Sequence, residues 1–421
     1  MSLARVFERL AGAGAPVEFT AYDGSRAGVP GAGIRFDVRS PYAVSYLVHS
    51  PGALGLARAY VTGMIDVSGD MYTALSTMQQ VMGDVTPTDK AKIIGAVMGD
   101  PLLRAAVTRR LDPPPQEAPV TRVSTWLRHS KKRDAKAISH HYDVSNTFYE
   151  WVLGPSMAYT CACYPEEHST LEEAQFHKHD LVAKKIGLKP GMRLLDVGCG
   201  WGGMVMHAAK EYGVKALGVT LSKQQAEWAQ KAIADRGLSD LAEVRHMDYR
   251  DVAETGFDAI SSIGLTEHIG KANLPSYFSF LNGKLKPYGR MLNHTITRPD
   301  NLAPSMKQDG FINRYVFPDG ELEGPGFVQQ QMNDAGFEIR HQENLREHYA
   351  RTLTGWCRNL DDHWDEAVAE VGDGIARVWK VYMAGCVLGF EQNWIQLHQT
   401  LGVKLDEKGA AHMPLRPDWG V

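Results

Sequence analysis

Residues 193–203 read Arg-Leu-Leu-Asp-Val-Gly-Cys-Gly-Trp-Gly-Gly. An apolar strand there runs into a glycine-rich turn, and a helix-forming run over 204–212 follows. Glycine lets the backbone approach a ligand closely and adopt dihedrals that other residues avoid. Asp196, at the strand end, adds an acceptor for ligand hydroxyls or for an ammonium group. Gly198, Gly200 and Gly203 also satisfy the dinucleotide pattern G-x-G-x-x-G. That pattern expects an acid about 20 residues further on, and the stretch Gly218-Val219-Thr220 supplies none. With Asp196 two residues ahead and Gly202 completing the run, D-x-G-x-G-x-G describes the segment better.

The elements that must position this loop alternate. Strands are expected at 193–197, 215–219, 242–246, 259–263, 290–294 and 338–341, with helices at 223–236 and 274–285 between them. Ser222 is placed to cap the helix at 223. A long helix over 375–390 leads to a last strand at 394–403. This is the pattern of a doubly wound α/β sheet. Residues 297–336 break it with several Pro and Gly residues, and are expected to form a lid or substrate-binding insertion. Residues 112–119 (DPPPQEAP) carry no large apolar side chain and read as a stiff linker. The chain is thus expected to divide into an N-terminal domain (1–111), a linker (112–121) and a catalytic domain (122–421). Alternating segments at 16–21 and 34–38, with helices at 42–48 and 54–62, make the first a small α+β unit.

Bulk properties exclude some classes. A net charge of −4 over 421 residues argues against a protein held on nucleic acid by global basicity. No apolar run approaches the roughly 20 residues that span a bilayer. Arg5, Glu8 and Arg9 near the N-terminus do not suit a secretory signal. Five scattered cysteines with no paired C-x-x-C point to a reducing compartment, no disulfide framework and no metal site. The basic run 128–133 (RHSKKR) reads either as a solvated helix face or as a patch for anionic lipid head groups.

The glycine loop resembles the S-adenosylmethionine (SAM) loop of class I methyltransferases. Most of that class hold the ribose hydroxyls with an acid at the end of the second strand. Here Thr220, Ser222 and Gln225 stand there instead, while Asp248 and Tyr249 follow the third strand, where Asp248 could accept from the adenine amino group. The missing acid and its surroundings resemble one family, the cyclopropane-fatty-acid synthases and the related mycolic-acid modifying methyltransferases. The resemblance rests on an ordered set: 139–146 (SHHYDVSN), 157–162 (MAYTCA), 195–202, 218–222 (GVTLS), 267–270 (EHIG), 294–296 (HTI), 317–320 (FPDG), 348–353 (HYARTL) and Gly385-Cys386. It covers essentially the whole second domain. The additional N-terminal domain suits the longer, phospholipid-acting members. The tail 413–417 (MPLRP) and the context 264–268 (GLTEH) are most similar to the tuberculostearic acid branch, which methylates an oleoyl chain to a 10-methylene chain.

The resemblance implies SAM as co-substrate, held by Tyr159, Thr160, Asp196, Gly198, Gly200, Gly202, Thr220, Ser222, Gln225, Asp248 and Tyr249. It implies a bound bicarbonate as base, with Cys161 (through its backbone), Glu267, His294 and Tyr349 around it, and Cys386 near the substrate channel. Cys161 and Cys386 equally suit simple buried packing. Tyr142, Tyr159, Trp201 and Phe317 could stabilise a carbocation through their ring faces. The expected substrate is the double bond of an unsaturated phospholipid acyl chain. The expected setting is the inner face of the membrane, held peripherally from the cytoplasm, and a homo-oligomer is compatible with this. A 10-methylene product would need a separate flavin- or NADPH-dependent reductase, since the chain holds no second dinucleotide motif. Cyclopropane formation, a small-metabolite methyltransferase and a catalytically silent lipid-binding protein are the alternatives.

Overall fold

The computed structural model describes residues 2–81, 95, 99–118, 131, 145–303 and 310–419. The basic run 128–133, except Lys131, and most of the 139–146 motif, including Tyr142, lie outside the described residues. The chain forms two units. One comprises Met1–Val120, Asp309–Val316 and Trp364–Leu388; the other comprises Thr121–Gln308, Phe317–His363 and Gly389–Val421.

In the first unit, strands β1 (Glu18–Ala21), β2 (Arg26–Gly28), β3 (Arg35–Val38) and β4 (Ile65–Ser68) pair in the order β2-β1-β3-β4. β1 and β3 run parallel, and the outer strands are antiparallel to them. Helix α1 (Leu3–Ala11) covers this small sheet through Phe7, whose ring stacks on Phe19 at 4.5 Å. Helices α2 (Ala43–His49), α3 (Ala53–Val61), α4 (Met71–Val81) and α5 (Pro101–Thr108) complete the α+β arrangement expected here.

The expected linker is not one. Glu117 is buried and accepts from Arg58 Nε at 2.7 Å and from Arg314 Nε at 2.6 Å, so residues 112–118 belong to the first unit. The Tyr46 hydroxyl donates to the Asp112 carbonyl at 2.9 Å. A proline-rich run is stiff wherever it lies, and its one buried carboxylate ties it down.

The second unit is built on seven strands: β5 (Arg193–Val197), β6 (Lys215–Thr220), β7 (Ala242–His246), β8 (Phe257–Ile263), β9 (Leu285–Thr297), β10 (Phe337–Asn344) and β11 (Gln396–Lys404). Their order is β10-β11-β9-β8-β5-β6-β7. β5 pairs in parallel with both β6 and β8, and β11 lies antiparallel between β9 and β10. Leu194 faces helices α7 (Leu171–Ile186), α8 (Gly203–Tyr212) and α9 (Lys223–Asp235). Leu195, next in the strand, faces α10 (Leu274–Lys284) and α12 (Pro325–Asp334). The buried strands read as apolar runs because both faces are covered. Strand order reverses at β5, and ligands of such sheets bind beyond the strand ends at that point.

The insertion expected over 297–336 is only partly one. Residues 325–334 form α12, and its Val328 and Met332 pack into the sheet core, while the short α11 (Phe311–Tyr315) belongs to the first unit.

Candidate active site

The loop after β5 does what its glycines suggest. Gly198, Gly200 and Gly202 have φ of +72°, +53° and +77°. A Cβ at Gly200 would meet nothing nearer than Gln225 Nε2 at 4.0 Å, so that side of the loop is open space. A Cβ at Gly198 would press on Leu265 at 3.0 Å, and one at Gly202 on Ala229 at 3.2 Å. Gly198 and Gly202 are packed tightly within the turn, whereas Gly200 has the open space of a cavity beside it.

Of the residues expected to hold SAM, Tyr159, Thr160, Asp196, Gly198, Gly200, Thr220, Gln225 and Tyr249 line that cavity. The other three stand behind the wall. Gly202 caps α8, and Ser222 caps α9 by accepting from Gln225 N at 3.3 Å. Asp248 accepts from Arg250 Nε at 2.8 Å, and Tyr249 and Arg250 face the cavity in its place. The Thr220 hydroxyl donates to Gln225 Oε1 at 2.8 Å, which presents the glutamine side chain where this chain has no acid at the end of β6.

Asp196 is buried and accepts from Ser261 Oγ at 2.6 Å across the β5–β8 pair. Burial pushes its carboxyl up to about 7, against the pull of Ser261 and of Lys178. Lys178 also lines the cavity, donates to Thr160 Oγ1 at 2.8 Å, and is pushed down to about 8 by burial. An acidic and a basic group thus share one wall, which suits the zwitterionic end of an amino-acid ligand. Met157 and Asp319, two non-glycine residues at positive φ (47° and 70°), line the same cavity. Such backbone strain persists where the surrounding structure enforces it, and it concentrates at functional sites.

The residues expected around the base do not line this cavity. Glu267 sits on the single turn Thr266–His268 after β8, pinned to β9 by Thr266 Oγ1 donating to Asn293 Oδ1 at 2.6 Å. Its Oε1 accepts from Ile296 N at 2.7 Å, and its Oε2 is buried without a hydrogen-bond partner. Burial pushes this carboxyl up to about 7, against its backbone hydrogen bonds and the Thr295 hydroxyl. His294, two residues before Ile296 on β9, is fully buried, and burial holds it well below the ordinary imidazole range. Gln399 Nε2 lies 3.2 Å from its Nδ1, and its Nε2 is buried without a partner. Tyr349 lies on α13 (Arg346–Asp362), packed against Phe390 at 4.5 Å and edge-on to Trp356 at 6.1 Å.

Aromatic rings connect the two groups of residues. Trp201 meets Tyr149, on α6 (Asn146–Leu153), at 4.8 Å, Tyr149 meets Tyr159 at 6.0 Å, and Tyr159 meets Trp356 at 5.3 Å. Trp356 in turn meets Tyr349. Phe317 instead stacks edge-on to His268, a cavity residue, at 5.4 Å.

Neither Cys161 nor Cys386 lines the cavity. The Cys161 thiol donates to the Ala162 and Leu345 carbonyls at 3.1 and 3.7 Å, and burial raises its pKa well above the ordinary thiol range. Cys386 lies in the first unit, where its surroundings push it up to about 12.

Reading the sequence missed Lys178, Tyr149 and Trp356. For the lysine a signal was present. Ala174, Lys178, Leu181 and Lys185 recur at i, i+4, i+7 and i+11, one stripe of a helix, so two lysines sit where apolar residues belong.

A sheet in this order, carrying a D-x-G-x-G-x-G turn with an open cavity beside it, defines a class I SAM-dependent methyltransferase. Residues 129–400 match the family Mycolic acid cyclopropane synthetase, and the chain belongs to it. It is similar to a probable fatty acid methyltransferase of Mycobacterium tuberculosis, with 52% identity over 100% of this chain and 98% of the relative. It is 34% identical to the cyclopropane-fatty-acyl-phospholipid synthase of Escherichia coli, over 66% of this chain and 71% of that protein. The crystal structure of mycolic acid cyclopropane synthase CmaA1, complexed with SAH and CTAB, superposes with a TM-score of 0.60 at 33% identity, over 64% of this chain and 98% of that one.

Proposed function

We propose that this chain transfers the methyl group of SAM to the double bond of an unsaturated phospholipid acyl chain, and that the product is a 10-methylene chain. The single observation that carries the reading is that two buried polar atoms, Glu267 Oε2 and His294 Nε2, each lack a hydrogen-bond partner in a chain whose SAM cavity is intact. An isolated alkene attacks a sulfonium methyl only when held in line and close. Attack leaves a carbocation on the neighbouring carbon, and water must be kept from it. The ring series from Trp201 to Tyr349 supplies apolar cover and ring faces suited to a cation.

The cation is discharged by losing a proton. Glu267 offers a free acceptor and His294 a free nitrogen, and this fits a small group with one hydroxyl and anionic oxygens. Bicarbonate, held by Glu267, His294 and Tyr349, would supply the proton acceptor there. The raised carboxyl of Glu267 limits repulsion between it and an anion. Loss of a methyl proton directly closes a cyclopropane. A 1,2-hydride shift first puts the cation on the methyl-bearing carbon, and the same loss then gives an exomethylene. The 264–268 context favours the second route. A separate flavin- or NADPH-dependent reductase would complete a methyl branch.

The substrate tail lies in a bilayer, and among the described residues no helix is long and apolar enough to cross one. The reading therefore places the protein peripherally on the inner membrane face. Glu267→Gln should lower turnover by about a hundredfold or more, the low end for loss of acid–base function, with SAM affinity nearly unchanged by calorimetry. Near-normal turnover in that variant would sink the reading.

A further inference from the structure

Behind His294 lies a row of polar side chains, buried except for the half-buried Glu343, that the reaction does not itself use. Glu343, Gln399 and His294 occupy directly paired positions on β10, β11 and β9. Lys185, the second lysine in the stripe of α7, reaches this row. Its Nζ donates to Gln399 Oε1 at 2.7 Å and pairs with Glu343. Lys185 and Gln399 are at most 1% exposed.

Hydrogen-bond chemistry fixes the rest. A lysine ammonium only donates, so it must face the amide oxygen of Gln399. The amide nitrogen is then turned the other way, towards His294 Nδ1 at 3.2 Å, with Cys163 Sγ at 3.7 Å as its second acceptor. An amide nitrogen only donates, so Nδ1 must accept and the ring proton resides on Nε2. That nitrogen is the buried, unpartnered one.

We infer that Lys185 and Gln399 are positioning residues that lock His294 in its Nε2–H tautomer, so that it presents a hydrogen-bond donor where the base is held. The inference rests on the proposed role of His294 in proton removal. Without the lock, the amide could turn its oxygen to Nδ1, and His294 would offer a lone pair to the anionic oxygens instead.

Long-range ¹H–¹⁵N spectra of histidine-labelled protein report the tautomer directly, with the His294 signals assigned by their loss in His294→Gln. The wild type should show Nε2–H. Lys185→Met and Gln399→Met should each shift His294 towards Nδ1–H and lower kcat about tenfold or more, the size of effect seen when a metal-bound histidine loses its outer hydrogen-bond partner, with KM for SAM unchanged. Lys185→Arg should restore both. An Nδ1–H or doubly protonated His294 in the wild type overturns the inference whether or not the variants fold. So does an unshifted tautomer in the two methionine variants, or a shifted one with unchanged kcat. Full turnover in His294→Gln would instead remove the proposed role of His294 and leave the tautomer assignment standing.

Discussion

Asp196 shows how burial sets chemistry at a single residue. Its carboxyl, pushed up to about 7, holds a proton in the ligand-free protein below that value. The unfolded chain gives its proton up in the ordinary carboxyl range near 4. Stability contributed at this position is therefore fully present in acid and declines as pH rises towards about 7. An ammonium group placed against Asp196 favours the charged form, so binding SAM should expel the proton. About one unit below that pKa, calorimetric SAM titrations in two buffers of different ionisation enthalpy should give different apparent enthalpies, and Asp196→Asn should abolish the difference. Equal enthalpies in the wild type would contradict a contact between this carboxylate and the ligand ammonium.

At the scale of elements, two glycines of one strand–turn–helix–strand unit have separable jobs. A Cβ at Gly218 on β6 would lie 2.7 Å from Val205 Cγ2 and 2.8 Å from Cys199 Sγ, both in the helix-side packing. Gly218→Ala should destabilise by about 1–3 kcal/mol through overpacking, seen as a lower Tm. Gly200→Ala meets open space, and its positive φ costs about 1–2 kcal/mol; its main effect should be lost SAM affinity. A β-branched valine at Gly200 would add further strain at that φ, so alanine is the cleaner probe. If Gly200→Ala bound SAM normally, the cavity would not be the SAM site. This unit was legible in the sequence because strand, glycines and cap are local signals. β5 and β7 fall at the expected residues, but β9 begins at Leu285, before the expected 290. Its first residues, Lys286 and Pro287 among them, carry no apolar alternation. Lys178 and Lys185 stand out in the sequence only as lysines in an apolar stripe, because their partners, Thr160 and Gln399, are brought near only by the fold.

At the scale of the molecule, the sequence suggested a break near residue 112, whereas the first unit continues to residue 120 and takes back two later stretches. The buried Arg58–Glu117–Arg314 cluster joins residues far apart in sequence, and no local pattern announces such a contact. Membrane association also belongs to this scale. Lys131 is exposed and pairs with Asp251 at 2.5 Å, a surface ion pair of small energetic consequence. Replacing Lys131, Lys132 and Arg133 with Gln should weaken co-sedimentation with anionic vesicles, and added salt should weaken it in the wild type. Equal sedimentation with neutral and anionic vesicles in both proteins would remove the basic run from the account.

The central claim is methyl transfer to an alkene followed by loss of a proton from that same methyl. SAM bearing a trideuterated methyl group, incubated with this protein and dioleoyl phospholipid vesicles, tests it most directly. Mass spectrometry should find acyl chains that retain two of the three deuterium atoms, and proton and deuterium NMR should place them on an exomethylene carbon. Two deuterium atoms on a cyclopropane carbon would correct the product and leave the chemistry intact. Acyl chains with all three deuterium atoms, or with none, would contradict the account.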